Sequence, residues 1–376
     1  MTSRALGRAT LARQMLLARE RVPALRAIER LAALQAQTPR TPFVALWSRV
    51  RGFRREELTR LLAERTVVRA TTMRGTLHLL AAEDYASMRA ALQPSLTKGM
   101  LVILRDRANG LDVAKVTAEA RRLFGDEPRT FTEVRDLLVK RFPEGDERAM
   151  GFAARLQLPL VQVPTDDPWS FPATADFALA DSWLGAPMPA GDGPHAIVLR
   201  YLAALGPATP ADVQSWTGLP DARALVEELR PKLRSLKGER GRELFDLPDA
   251  PRPPEDTPAP VRLLPEFDNV LLGHADRKRF VADEHRPRIY LPGLRVAATF
   301  LVDGRVAGTF TLERVKSAAS LLLEPFAALP KAASTELEEE ASALLRFVEP
   351  EATSFDVRIA KAGGRKPPAP RRIRAS

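Results

Sequence analysis

The sequence predicts a mainly α-helical protein with β wings: tandem helix-turn-helix units of the winged-helix kind, then a small C-terminal β-barrel-like domain. Three observations carry this prediction. Helical periodicity is followed by a two-strand signal three times before residue 247. A proline-rich stretch then interrupts the chain, and beyond it the pattern turns to strands.

The first round (residues 1–100) begins with a helix at Thr10–Ala18. A second helix spans Val22–Leu34, where Val22, Leu25, Ile28, Leu31 and Leu34 recur every three residues and mark a buried face. Pro42 suits the first turn of a third helix that Gly52 closes, and a fourth runs from about Arg54 to Ala63. Val67–Leu80 alternates and is rich in Val, Thr and Leu, as in a β-ribbon turning near Met73-Arg74-Gly75. The second round (101–190) has helices at Ala114–Phe124, Phe131–Arg141 and Asp146–Leu156, with Thr130 and Glu133 forming a capping box. Its wing strands are expected at Leu160–Val163 and Phe177–Ala180. The third round (191–247) has an apolar helix ended by Gly206-Pro207. Next comes a helix capped by Thr209-Pro210 and stopped at Gly218, then Pro220–Leu233, and a short wing around Gly238–Gly241.

Residues 248–260 are a linker, with six prolines among thirteen residues. In 261–360, Asp303-Gly304 joins Val296–Val302 to Arg305–Leu312 as a two-residue hairpin turn. Ser320–Leu323 and Ser354–Ile359 read as further strands, and Thr335–Phe347 as an acidic helix. Residues 361–376, with six basic and no acidic side chains, are expected to be a disordered tail.

Composition narrows the function. There is no cysteine, which excludes disulfides, thiolate metal sites and cysteine nucleophiles. The four histidines (His78, His195, His274, His285) lack zinc-ligand spacing. Neither a GxxxxGK nor a GxGxxG phosphate loop is present, so no metal or cofactor is expected. No apolar run approaches the about eighteen residues of a membrane span. Arg13 and Arg19 interrupt what would be a signal-peptide core, so a cytoplasmic protein is expected. The net charge of +10 is confined to one end: residues 1–70 hold fifteen arginines, no lysine and five glutamates, and the remainder is balanced. A clustered basic segment is the electrostatic footprint of a nucleic-acid binder.

Within that segment lies Gln35-Ala36-Gln37. Thr38 precedes Pro39 and is pushed away from the α region, so the preceding helix is expected to fray at the glutamines. In an extended segment, residues two apart share a side. Both carboxamides would then face one space, with small Ala36 turned to the core.

With Leu34-Gln35-Ala36-Gln37 stand Ala45-Leu46-Trp47-Ser48-Arg49 and Met73-Arg74-Gly75-Thr76-Leu77-His78. Further on come Leu263-Leu264-Pro265-Glu266-Phe267-Asp268, Asp276-Arg277 and Val302–Gly308. In this order and spacing, the chain resembles the winged-helix DNA glycosylases of the AlkZ and YcaQ type over roughly residues 8–360. The resemblance implies winged helices curved around duplex DNA, a C-terminal β-barrel, and metal-free N-glycosidic cleavage of alkylated purines by a monofunctional enzyme. It also implies catalytic roles for Gln35 and Gln37, as in the Gln-x-Gln branch rather than the Asp-bearing one.

An amide is no effective general base at neutral pH. The two glutamines would instead hold a water and face the developing cationic sugar with their dipoles. Without a base, the favoured substrates are N7- or N3-alkylated purines, which carry positive charge and leave neutral. The expected partner is double-stranded DNA containing such purines, bound by a monomer. Arg40, Arg49, Arg51, Arg54, Arg69, Arg74 and His78 are the expected DNA-facing side chains; Arg74 at the ribbon tip either meets the DNA or is a plain surface residue, and His78 either lines the site or is a satisfied structural histidine. The competing reading is a non-catalytic DNA-binding regulator. Against it, regulators usually dimerise, and no sustained heptad for a coiled coil is present.

Overall fold

A computed structural model describes residues 1–363. The protein is mixed α/β rather than mainly helical, because strands from distant segments join into larger sheets than three separate wings would make. Residues 364–376, most of the expected tail, lie outside the described residues.

The first round consists of α1 (Ser3–Arg13), α2 (Ala24–Arg30), β1 (Leu34–Gln35), α3 (Thr41–Trp47), α4 (Arg55–Ala63), β2 (Val67–Thr71) and β3 (Leu77–Ala81). Helix α1 starts earlier than expected because Thr2 accepts the Ala5 amide as an N-cap. Helix α2 stops short of the expected Leu34. Ala32 adopts a left-handed φ of 61°, and the Asn269 side chain donates to the carbonyls of Leu31 and Ala33 at 3.3 and 2.9 Å. A residue 238 positions away thus meets the carbonyls freed where the helix ends.

The second round runs through α5 (Ala82–Leu104), α6 (Val113–Asp126), α7 (Phe131–Arg141), α8 (Glu147–Gln157), β4 (Leu160–Gln162), β5 (Phe177–Leu179) and α9 (Ala180–Leu184). The Thr130–Glu133 capping box starts α7. The third is α10 (Gly193–Leu205), α11 (Pro210–Thr217), α12 (Ala222–Leu229), β6 (Arg234–Lys237) and β7 (Glu243–Asp246). Helix α11 has its own capping box, Thr209 with Asp212, and ends at Gly218 with φ 75°.

One sheet, ordered β1-β3-β2-β4-β5, joins the ribbons of the first two rounds through the pairing of Ala70 with Val161. Below it, a continuous apolar core takes side chains from Ala32 to Phe245.

The C-terminal part contains β8 (Arg262–Leu264), α13 (Asn269–Leu272), α14 (Arg286–Ile289), β9 (Tyr290–Leu291), β10 (Arg295–Val296), β11 (Thr299–Val302), β12 (Arg305–Val315), β13 (Ala318–Pro325), α15 (Lys331–Val348) and β14 (Ser354–Ile359). The Asp303-Gly304 turn is present, with φ of 47° and 73° as a two-residue hairpin requires. The expected barrel is not. The strands form an open sheet, β14-β13-β12-β11-β8. The reason is the last connection: β14 pairs parallel to β13, which demands a crossover, and α15 supplies it. That helix buries Leu337, Ala341, Leu344 and Leu345 in a core shared with Phe300, Leu321 and Leu323, so the sheet need not close on itself.

Helix α1 is tied to the later segments rather than to its own round. Arg13 forms a buried pair with Asp246 at 2.8 Å and donates to Leu202 O, while Arg8 donates to Thr257 O in the proline-rich stretch at 2.7 Å. Among the described residues no helix is long and apolar enough to cross a membrane.

Candidate functional site

Gln35 ends the edge strand β1, where it is paired with His78 of β3. Ala36 is fully buried and fastened on both sides. Its amide donates to Leu77 O at 2.8 Å, and its carbonyl accepts from Nε and Nη2 of Arg69 at 2.9 and 2.6 Å. Held this way, the glutamines on either side turn toward the same turn, residues 73–77. Gln35 Oε1 accepts from Arg74 Nη2 at 2.8 Å, and Gln37 Oε1 accepts from the Leu77 amide at 3.3 Å. Gln35 is recessed at 7% exposure, whereas Gln37 is exposed.

The turn is shaped by Arg74, whose φ of 58° lies in the left-handed region. Its Nη1 donates to Trp216 O at the end of α11, so the tip of the first ribbon is anchored on the third round. Burial and the nearby Arg277 draw the Arg74 guanidinium down to about 10, so it stays charged at neutral pH.

His78 is buried behind Gln35. Its Nδ1 lies 3.1 Å from Thr76 O, which can only accept, so Nδ1 carries the proton. Burial, reinforced by Arg74 and opposed by the Thr76 hydrogen bond, pushes the ring down to about 3. His78 is therefore neutral, and its Nε2 has no partner among the described residues. His274 is also buried and lowered to about 3, by burial first and then by Arg279. Both rings gain protons near pH 6.5 when unfolded but not when folded. Stability should therefore fall as pH drops through the window from 6.5 toward 3, by about 1 kcal/mol per histidine per pH unit. Urea midpoints at pH 7 and pH 5 test this; equal midpoints would contradict it.

The structure gathers Gln35, Gln37, Arg69, Arg74 and His78 around one turn, but it turns four expected DNA contacts inward: Arg74, whose guanidinium is bonded to Trp216 O and Gln35 Oε1, and three others. Arg49 is fully buried, with its nitrogens 2.8 and 2.9 Å from the Asp268 carboxylate, and serves as an internal ion pair. Arg69 holds the Ala36 carbonyl and stacks over Phe171 at 4.8 Å; burial, then Arg155, lowers it to about 10. His78, at 1% exposure, backs the site without reaching its surface.

Of the others, Arg40 is partly exposed, 3.8 Å from Glu266, at the start of α3 close to Gln37. Arg51 and Arg54 are exposed beyond the far end of that helix. Much of the N-terminal arginine excess is neutralised internally: Arg4 and Arg8 pair with Asp303, and Arg19 with Glu340.

Two neighbours were given no role by the sequence, although Glu266 stands within the Leu263–Asp268 motif. One is Trp216, which acts through its carbonyl and so leaves no side-chain signal. The other is Glu266, which faces Arg40 and lies 3.4 Å from the Thr41 hydroxyl. The left-handed φ of 61° at Phe267 accompanies that placement.

A family model described as DNA glycosylase AlkZ-like matches residues 28–347. The chain is 28% identical, over 362 residues, to the interstrand DNA cross-link repair glycosylase of Streptomyces sahachiroi, spanning 89% of this chain and 93% of that protein. The structure of Streptomyces sahachiroi DNA glycosylase AlkZ shares the fold, with a TM-score of 0.78 at 24% identity, over 96% of this chain and 100% of that one.

Proposed function

The chain belongs to the AlkZ-like DNA glycosylases, and from that membership we propose that it removes cationic alkylated purines from duplex DNA, with Gln35 and Gln37 as its catalytic side chains. The observation that carries this reading is the convergence of both carboxamides on the Arg74–Leu77 turn, with Ala36 buried between them. That arrangement leaves one recessed and one exposed amide flanking the buried Ala36.

The glycosidic C1′–N9 bond breaks, and its electron pair moves onto the purine and cancels the positive charge there. A water held at Gln37 adds to C1′ and loses its proton to solvent. A positioned general base contributes ~10²–10⁴ in rate, and amides cannot supply it. The charge on the leaving group makes up the difference, which restricts the substrate to purines alkylated at N7 or N3. Bulky adducts and crosslinks joined through such a nitrogen fall in the same class, an extension supported by the cross-link repair name of the Streptomyces relative.

We read the three helix–ribbon rounds as winged helices curved around the duplex, with Arg40, Arg51 and Arg54 contacting phosphates. The enzyme would act as a monomer on DNA in the cytoplasm. Duplexes carrying N7-methylguanine or uracil at one position test the substrate class. Free 7-methylguanine should appear and uracil should not. Equal release of both, or of uracil alone, would contradict the reading.

A further inference from the structure

The orientation of the Gln35 amide follows from its neighbour's chemistry. A guanidinium has only donors, so the amide atom 2.8 Å from Arg74 Nη2 is the oxygen, and the NH2 group points away. Arg74 cannot easily swing aside. Its backbone is left-handed, and its second nitrogen donates to Trp216 O. On the sheet side, His78 is fixed opposite Gln35 by its own hydrogen bond to Thr76 O.

We propose that Arg74 is a positioning residue that makes Gln35 a hydrogen-bond donor, presenting Nε2 to an acceptor atom of the departing purine. This rests on the placement of Gln35 in the active site. As the C1′–N9 bond breaks, the electron pair enters the purine ring and its acceptor atoms become richer in electrons. A donor aimed there binds the transition state better than the ground state. The guanidinium on the amide oxygen polarises the group further and strengthens its N–H. Gln35 then acts on the leaving base, and Gln37 on the water.

Gln35→Glu separates this role from an acceptor role, because it keeps an oxygen for Arg74 but has no N–H. Single-turnover release of 7-methylguanine from saturated duplex should be as slow in Gln35→Glu as in Gln35→Ala, roughly 10²-fold below wild type. Arg74→Lys should slow wild type about tenfold but add nothing in the Gln35→Ala background, because coupled residues are non-additive. Duplex affinity should be unchanged in Gln35→Ala and Arg74→Lys and weaker in Gln35→Glu, whose added negative charge opposes the phosphates, so its rate is read at saturating protein. Circular dichroism should report folded protein throughout. Gln35→Glu at or above the wild-type rate would overturn the proposal, as would full additivity of Arg74→Lys with Gln35→Ala. In both cases an active wild type leaves the active-site reading standing. A wild type that releases no base overturns the two together.

Discussion

Truncation of Gln37 to Ala is expected to slow base release by roughly 10²-fold or more, the usual cost of removing one preorganised polar group from an active site. Duplex affinity should barely change, because a neutral amide adds nothing to the charge-driven part of binding. Gln37 is exposed, so stability should also hold within about 0.5 kcal/mol. Gln35→Ala should cost as much rate but also some stability. It leaves Arg74 Nη2 without its acceptor in a recessed site, worth about 1–3 kcal/mol. Gln37→Asp supplies a true base and a negative charge for the cationic sugar, and should keep activity. Gln37→Glu carries the same charge on a longer arm that displaces the water, and should do worse. Loss of folding and activity in parallel across these variants would make the glutamines braces of the turn instead.

The second large effect concerns stability. Arg49→Met leaves the Asp268 carboxylate, which is fully buried, without its partner. Breaking such a pair from one side costs about 3–5 kcal/mol. Asp268 also caps α13 through the Val270 amide at 3.0 Å, so Asp268→Ala should be at least as damaging. Arg51→Ala, two residues on and exposed, should stay within about 0.5 kcal/mol. Denaturant midpoints decide the matter. An Arg49→Met protein of wild-type stability with weakened DNA binding would return Arg49 to the DNA face.

Local signals in the sequence survived folding where their partners are also local. The Thr130 capping box, the Thr209 N-cap, the Asp303-Gly304 turn and the Val67–Leu80 ribbon all appear where residue chemistry placed them. That the glutamines lie outside the helix was legible from Thr38-Pro39, and that Ala36 is turned to the core was legible from its small size. The helix nevertheless ends earlier than expected, at Arg30, and only Leu34–Gln35 is strand. Signals with distant partners were not legible. The arginine count at the N-terminus looked like an open basic face, because the carboxylates that neutralise Arg13, Arg49 and Arg19 lie more than two hundred residues away. The joining of two ribbons through Ala70 and Val161, and the parallel β13–β14 pair, likewise depend on long-range pairing that local periodicity does not encode. Helix α5 was missed for another reason: Pro94 lies inside it, where a proline usually ends a helix. Tyr85, Met88, Leu92, Leu96 and Met100 nevertheless bury one continuous face, and that packing outweighs the missing hydrogen bond.

In this mechanism two neutral amides, and no acid or base, carry the hydrolysis. The most direct test is single-turnover release of 7-methylguanine from duplex DNA by wild type and by a folded Gln35→Ala, Gln37→Ala double variant, with duplex affinity measured on both. The expected result is free base from wild type and little above spontaneous depurination from the double variant, at similar affinity. Base release at the wild-type rate by the folded double variant would contradict the claim.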